Sequence, residues 1–144
     1  MLRTFFKSDI PDVLRIEQAV SVVPWAEDTF LQCFRSGYLG WVVEVDKQVV
    51  GFIMVSIQGE ECHILNVAVA RDYQHQGFGH QLLAQVLNHA KQEGVKIAYL
   101  EVRRSNTRAI SLYRHMSFRP VGQRKDYYPT VAGHEDALVF AKSL

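Results

Sequence analysis

The sequence is poor in the features that mark membrane, secreted or metal-bound chains. No apolar run approaches the roughly 20 residues that cross a bilayer as a helix, so no membrane partner is expected. Neither sign of charge is in excess: Lys and Arg total 16, Asp and Glu 15, and the formal net charge is +1. Without a global field, nothing draws in nucleic acid or an anionic surface. Only two cysteines occur, Cys33 and Cys62, at neither CxxC nor metal-like spacing. They read as packing thiols of a reduced, cytoplasmic protein. Six histidines show neither HxH nor HExxH spacing, so no metal is expected. Met1 to Ile10 contains Arg3, Lys7 and Asp9 and lacks a signal-peptide core. There is no Pro/Gly/Ser-rich linker, repeat or low-complexity tract, so one domain is expected over 1–144.

What is present is enough for a packed core. Hydrophobic residues make up 48% of 144 positions. A chain of this length buries about two thirds of its unfolded surface. Ser8 or Asp9 caps a first helix, with Pro11 in its opening turn and Ile10, Val13, Leu14 and Glu17 along one side. A second short helix follows Pro24-Trp25, with Phe30, Leu31 and Phe34 as its apolar stripe. Trp41–Val45 and Gln48–Ile57 are β-rich around an Asp46-Lys47 turn. Cys62–Ala70 follows the Gly59-Glu60 turn as a third strand. From Gly77 the period becomes helical through Leu82, Leu83, Val86, Leu87 and Ala90, and Gly94 stops that helix. Lys96–Arg103 reads as strand, and Asn106–Met116 as helix capped by Ser105 or Asn106. Arg119–Lys125 and Ala137–Lys142 read as closing strands. The expected order is β-α-α-β-β-β-α-β-α-β-β, an α/β fold with a mixed, largely antiparallel sheet flanked by helices.

One segment points to chemistry. His75-Gln76-Gly77-Phe78-Gly79-His80 lies between the Val67-Ala68-Val69 strand end and a helix. Glycines let the backbone curl so that successive amides point inward at the helix's positive end, which holds phosphate without a lysine. A plain strand-to-helix turn has the same spelling. A dinucleotide fingerprint needs glycine at position 82, which is Leu82, and a Walker loop needs Gly-Lys-Ser/Thr, which is absent.

Val67-Ala68-Val69, Gln74-x-x-Gly77-x-Gly79 and Leu82-Leu83 together resemble the acetyl-coenzyme-A signature of the GCN5-related N-acetyltransferase (GNAT) superfamily. Leu100-Glu101-Val102-Arg103, Ser105-Asn106, Leu112-Tyr113 and Phe118 resemble that family's next strand-helix unit. Pro24-Trp25, Arg124-x-x-Tyr127-Tyr128-Pro129 and Gly133-x-Glu135-Asp136-Ala137 are similar to the bacterial ribosomal-protein-alanine N-acetyltransferases. The resemblance implies the GNAT fold, with a strand splayed at a bulge. It implies that Val67, Ala68 and Val69 hold the pantetheine of acetyl-coenzyme A and that His75 to His80 wrap its pyrophosphate. Asn106 joins them as helix cap and pantetheine partner. One departure stands out: Ser117 occupies a position where the family has glycine, so a serine must take a left-handed backbone there.

The resemblance also implies roles in catalysis. An ammonium cannot attack a thioester, so a base must take its proton. Glu101 is the candidate, a lone acid between Leu100 and Val102, in apolar surroundings that favour a raised pKa. The structural alternative pairs it with Arg103 or Arg104 or leaves it solvated. Tyr113 is the candidate donor to the leaving thiolate, and the alternative is a core tyrosine beside Ile110 and Met116. The Val69 amide is placed to polarise the thioester carbonyl. Trp25, Tyr127, Tyr128 and Glu135 are candidates for the acceptor channel, while Arg124 and Lys125 read as a solvated face.

The implied activity is direct acetyl transfer, in a ternary complex, to the N-terminal alanine of a small-subunit ribosomal protein. The N-terminal peptide of that protein is the expected partner, with a monomer or weak dimer as the assembly. The competing readings are acetylation of a small amine, of other protein N-termini or of lysines. An idle coenzyme-A-binding module is a third possibility, opposed by the presence of both Glu101 and Tyr113.

Overall fold

The computed structural model describes residues 1–144. Strand β1 (Leu2–Thr4) leads through a single 3-10 turn into helix α1 (Ile10–Val20), then α2 (Glu27–Arg35). Strands β2 (Leu39–Val45), β3 (Gln48–Gln58) and β4 (Glu61–Val69) form a meander. Helix α3 (Phe78–Gln92), strand β5 (Ile97–Arg103) and helix α4 (Thr107–His115) follow. The hairpin β6 (Arg119–Thr130) and β7 (Gly133–Ser143) closes the chain. One seven-stranded sheet runs β1-β2-β3-β4-β5-β7-β6, and its pairs are antiparallel except β4 with β5. The element order and mixed sheet are those the sequence pattern predicts. No helix is long and apolar enough to cross a membrane.

Two apolar layers sandwich the sheet. On one face Leu82, Leu83, Val86, Leu87 and Ala90 of α3 pack on Ile53, Val55, Leu100 and Phe140. Those five α3 positions are the stripe predicted from spacing. On the other face Val13 and Ile16 of α1 and Phe30 and Cys33 of α2 pack on Phe52 and Met54. Central strand β3 is buried on both sides, which is why it reads as a continuous apolar run rather than an alternation. Phe5, Phe30 and Phe52 form a tilted and edge-to-face cluster with centroids 5.6–6.3 Å apart.

Several boundaries differ from the sequence reading. Ile16, not Leu14, is a buried position of α1, and Leu14 is half-buried. Asp9 does not cap α1 with its side chain; its carboxylate accepts from the Phe6 amide at 2.8 Å and from Arg3 at 2.9 Å. Asn106, not Ser105, caps α4 by accepting from the Ala109 amide at 3.2 Å. Strands β6 and β7 are longer than predicted and pair as far as Thr130 and Gly133. Their outer half carries no strand pattern in the sequence because Asp126 (φ 52°) and Pro129 break the alternation and two register shifts interrupt the ladder. Cys33 and Cys62 are buried packing residues as expected; burial raises both thiols, Cys62 to about 11, which disfavours the thiolate.

Candidate active site

The cleft originates in a disagreement between two strand pairings. Strand β4 runs parallel to β5 from Glu61↔Ile97 to Ile64↔Leu100, and the pairing stops there. Against β3 it continues, but with a bulge: Val55 faces Ile64 and Met54 faces Asn66, leaving Leu65 as the extra residue. The bulge turns β4 away from β5 while β5 goes on with β7 as far as Arg103↔Ala137. A wedge opens between the two strands. It becomes a cleft of about 1080 Å³ reaching the α1–α2 loop on one side and β6 on the other.

The β4 wall presents unpaired backbone. Ala70 donates its amide to the Val50 carbonyl at 2.7 Å and continues the β3–β4 register beyond Gly51↔Val69. In an antiparallel ladder the residues alternate, so the amides and carbonyls of Val67 and Val69 point away from β3, into the wedge. Gln74 confirms that direction by donating from Nε2 to the Val69 carbonyl at 2.9 Å. Arg108 holds Gln74 in turn, at 2.9 Å to its Oε1. Val67, Ala68 and Val69 are half-buried and line the cleft.

Below this edge lies a row of free donors. Gln74 donates its amide to Arg71 and Gln81 donates to Gly77, but the amides of residues 75–80 donate to no group of the protein. They gather at the N-terminus of α3, where the helix dipole is positive. His75 (φ 64°) and Gly77 (φ 85°) supply the left-handed turns that aim successive amides to one side. At Gly79 a Cβ would meet Leu112 Cδ2 at 3.3 Å, so glycine there lets α4 approach. His75, Gly77, Phe78, Gly79 and His80 line the cleft, whereas the Gln76 side chain turns out and donates to the Asp72 carbonyl. Gln76 therefore offers an amide only.

Two side chains with acid-base chemistry face the wedge from the opposite wall. Glu101 projects from β5 where β4 has left it, its side chain 27% exposed. It is not in the apolar enclosure that the strand pattern suggests, and its partner is neither Arg103 nor Arg104. Arg124 Nε lies 2.9 Å from Glu101 Oε1, so Arg124, an exposed residue as read from the sequence, is also tied to the site through that pair. Tyr113 of α4 lines the same cleft, 6% exposed, with its ring near Phe118 and Phe140. Burial, with a smaller effect from Tyr128, pushes its hydroxyl well above the ordinary tyrosine range. Tyr128 is pushed up to about 12 by burial, then by the Glu101 charge and Tyr127.

The acceptor-side candidates divide. Trp25 and Tyr128 line the cleft, on opposite sides. Tyr127 does not: it is 49% exposed, edge-on to Tyr128, with the Arg124 guanidinium 5.2 Å from its ring centroid. Glu135 does not either. Its carboxylate accepts from the Ser105 hydroxyl at 2.7 Å and the Ser105 amide at 3.2 Å, which lowers its pKa and ties β7 to the β5–α4 turn. Sequence reasoning missed four contributors. Arg124 was signalled only by its charge, and Gln74 only as a motif letter. Arg103 donates to the Pro129 carbonyl at 2.8 Å and lies 4.5 Å from the Tyr128 ring centroid, fixing the β6 wall. Glu17, read as part of an apolar stripe, is a buried carboxylate on the cleft wall.

The donor set suits an anionic group such as a diphosphate at the free amides, continuous with an amide-bearing arm along Val67–Val69. Asn66 adds to the fit, since its buried Nδ2 on the cleft wall has no partner within the protein. Residues 9–118 match the acetyltransferase (GNAT) family. A curated relative, the [ribosomal protein bS18]-alanine N-acetyltransferase of Salmonella typhimurium, is 36% identical over 134 residues, 93% of this chain and 90% of that one. The crystal structure of the Escherichia coli ribosomal-protein-alanine N-acetyltransferase superposes with a TM-score of 0.94 at 34% identity, covering 99% of this chain and 92% of that one. A ribosomal-protein-alanine N-acetyltransferase from Brucella melitensis, 23% identical, shares the fold at a TM-score of 0.86, covering 100% and 99%.

Proposed function

The chain belongs to the acetyltransferase (GNAT) family, and from that premise we propose that it acetylates the N-terminal alanine of ribosomal protein bS18. It is an N-acetyltransferase, and its acetyl donor is acetyl-coenzyme A. Relatives with 32–36% identity over most of the chain carry that acceptor in their names. We read residues 1–144 as one catalytic domain working in the cytoplasm, where ribosomal proteins are made.

The acetyl donor supplies an activated thioester; the chain supplies everything else. The free amides of residues 75–80 take the diphosphate charge at the positive end of α3. Val67 and Val69 pair with the pantetheine arm as a neighbouring strand would, and Asn106, already capping α4, stands beside its path. The Val69 amide, directed into the wedge, stabilises the carbonyl oxygen as it gains charge. Glu101 accepts the proton of the incoming ammonium, directly or through one water. Tyr113, held protonated by burial, donates to the departing sulfur. Trp25 and Tyr128 bound the acceptor from either side. Attack is direct, since neither buried cysteine reaches the cleft lining to form an acetyl-enzyme.

One observation carries this reading: the free edge of β4, the row of free amides, Glu101 and Tyr113 all converge on one cleft. The names of the relatives favour a protein N-terminus over a small amine. The test is acetylation of an alanine-starting bS18 peptide against a panel of polyamines, aminoglycosides and internal-lysine peptides. The expected result is mass-spectrometric addition of one acetyl group at the peptide α-amine, with at least about a hundredfold preference in kcat/KM. Equal turnover of the small amines overturns the acceptor assignment.

A further inference from the structure

Glu17 is a buried acid to which the chemistry above assigns no task. It sits in α1 at 2% exposure, on the same side as the apolar Val13 and Ile16. No Lys, Arg or His pairs with it. A carboxylate buried without a cation is costly, and a leucine would serve the helix and core better. What Glu17 does have is two donors, both from the loop that follows. Ser21 Oγ donates to its Oε1 at 2.8 Å, and the Trp25 amide donates to its Oε2 at 2.9 Å.

That loop, residues 21–26, has no regular structure, and it walls the acceptor half of the cleft with Val22, Val23 and Trp25. Val22 and Val23 are 66% and 50% exposed, and their amides donate to no backbone group. Apart from the Ser21 amide, which bonds back to Glu17's own carbonyl at 3.0 Å, the two Glu17 side-chain bonds are what hold residues 21–25. Trp25 is then seated on Phe30 at 5.1 Å between centroids. We infer that Glu17 is a positioning residue for the acceptor: one carboxylate grips both ends of the loop, fixing the groove wall that Trp25 forms. The inference rests on the acceptor reading given above. Glutamine at this position keeps the helix propensity and the volume but has one accepting oxygen, so it holds one end of the loop and releases the other.

The experiment compares Glu17→Gln and Ser21→Ala with the wild-type enzyme on the alanine-starting peptide, with acetyl-coenzyme A affinity from calorimetry and amide exchange at Trp25 as separate readouts. Glu17→Gln is expected to raise peptide KM about tenfold, with kcat changed by less than about threefold and donor affinity within about twofold. Trp25 exchange should quicken, and Ser21→Ala should shift KM the same way by a smaller factor. Wild-type KM and exchange in folded Glu17→Gln overturn the inference, as does an equal loss of donor affinity. If Glu17→Gln does not fold, Ser21→Ala decides in the same manner. If the wild-type enzyme ignores the peptide, the acceptor reading falls alone. Trp25 exchange, and KM on whichever amine is acetylated, then decide the role of Glu17.

Discussion

Glu101 and Tyr113, the proposed base and acid, face one cleft, and their settings differ. Glu101 is a quarter exposed and ion-paired with Arg124, whereas Tyr113 is walled in by Phe118 and Phe140. Replacing Glu101 with glutamine keeps the shape and removes the base, so kcat should fall by about 10²- to 10⁴-fold while donor affinity stays within about twofold. Steady-state rates and calorimetry on the same protein check both halves. Tyr113→Phe should lower kcat with the pH–rate profile unchanged in shape. The sign follows from burial: the Tyr113 hydroxyl titrates above its usual value, so below about pH 10 it remains the protonated donor and imposes no alkaline limb. A limb that vanishes in Tyr113→Phe contradicts this. Ser117 is a different lesson at the same scale. Its φ of 72° is the left-handed conformation foreseen from glycine's absence. Ser117→Gly should therefore stabilise the fold by about 0.5 kcal/mol in chemical denaturation.

Elements were legible where one physical rule governed them and illegible where several competed. Helix α3 obeys a single 3.6-residue period from Leu82 to Ala90, and Gly94, at φ 87°, ends it. The Asp46-Lys47 turn was legible as polar residues between apolar runs, and both take positive φ, 50° and 65°, as a two-residue hairpin turn demands. The β6–β7 hairpin was half-legible, because its outer part is an exposed, bulged edge that has no apolar alternation to read. The β4 splay was not legible from pattern at all. Leu65 is spelled like any strand residue, and only the resemblance announced a bulge there. Nor did spelling show that Arg124 reaches back to Glu101, since that contact depends on how β6 registers against β7 and β7 against β5. At the opposite end, Arg3 joins β1 to the α1 approach and to β2 through Asp9 and Glu44, at 2.9 and 3.0 Å. Hydrogen bonding from Arg3 lowers the Asp9 pKa. A lowered folded value contributes stability above the unfolded carboxylate value of about 3.9 and loses it as pH falls through the folded one. Asp9→Asn should thus cost about 1 kcal/mol at pH 7, with the difference from wild type closing at more acidic pH, as thermal melts across a pH series would show.

At the scale of the molecule, the cleft lies where the sheet is least complete. Both halves of the sheet close their own ladders, β1 to β4 and β5 with β7 and β6, and the parallel β4–β5 contact between them ends at Ile64↔Leu100. Beyond that point the halves are joined by packing of α3 and α4 and by no backbone bond along the wedge. In the proposed site, a donor lying in the wedge would replace the missing strand contacts, and its diphosphate would close the amides at 75–80 that have no partner in the protein. It must therefore bind the folded chain and not the unfolded one, and stabilise it by mass action. At a hundred times its dissociation constant this amounts to about 2.7 kcal/mol, or roughly 5–10 °C in Tm for a domain of this size. The gain in hydrogen-exchange protection should concentrate at residues 67–69 and 75–80 and leave β1 and α2 nearly unchanged. Coenzyme A without its acetyl group should give almost the same shift, because the acetyl carbonyl adds at most a bond to Val69. Dephosphorylated pantetheine should give a much smaller one. A pantetheine shift equal to that of coenzyme A would mean that the amides at the α3 N-terminus do not carry the diphosphate, and the cleft would then need a different guest.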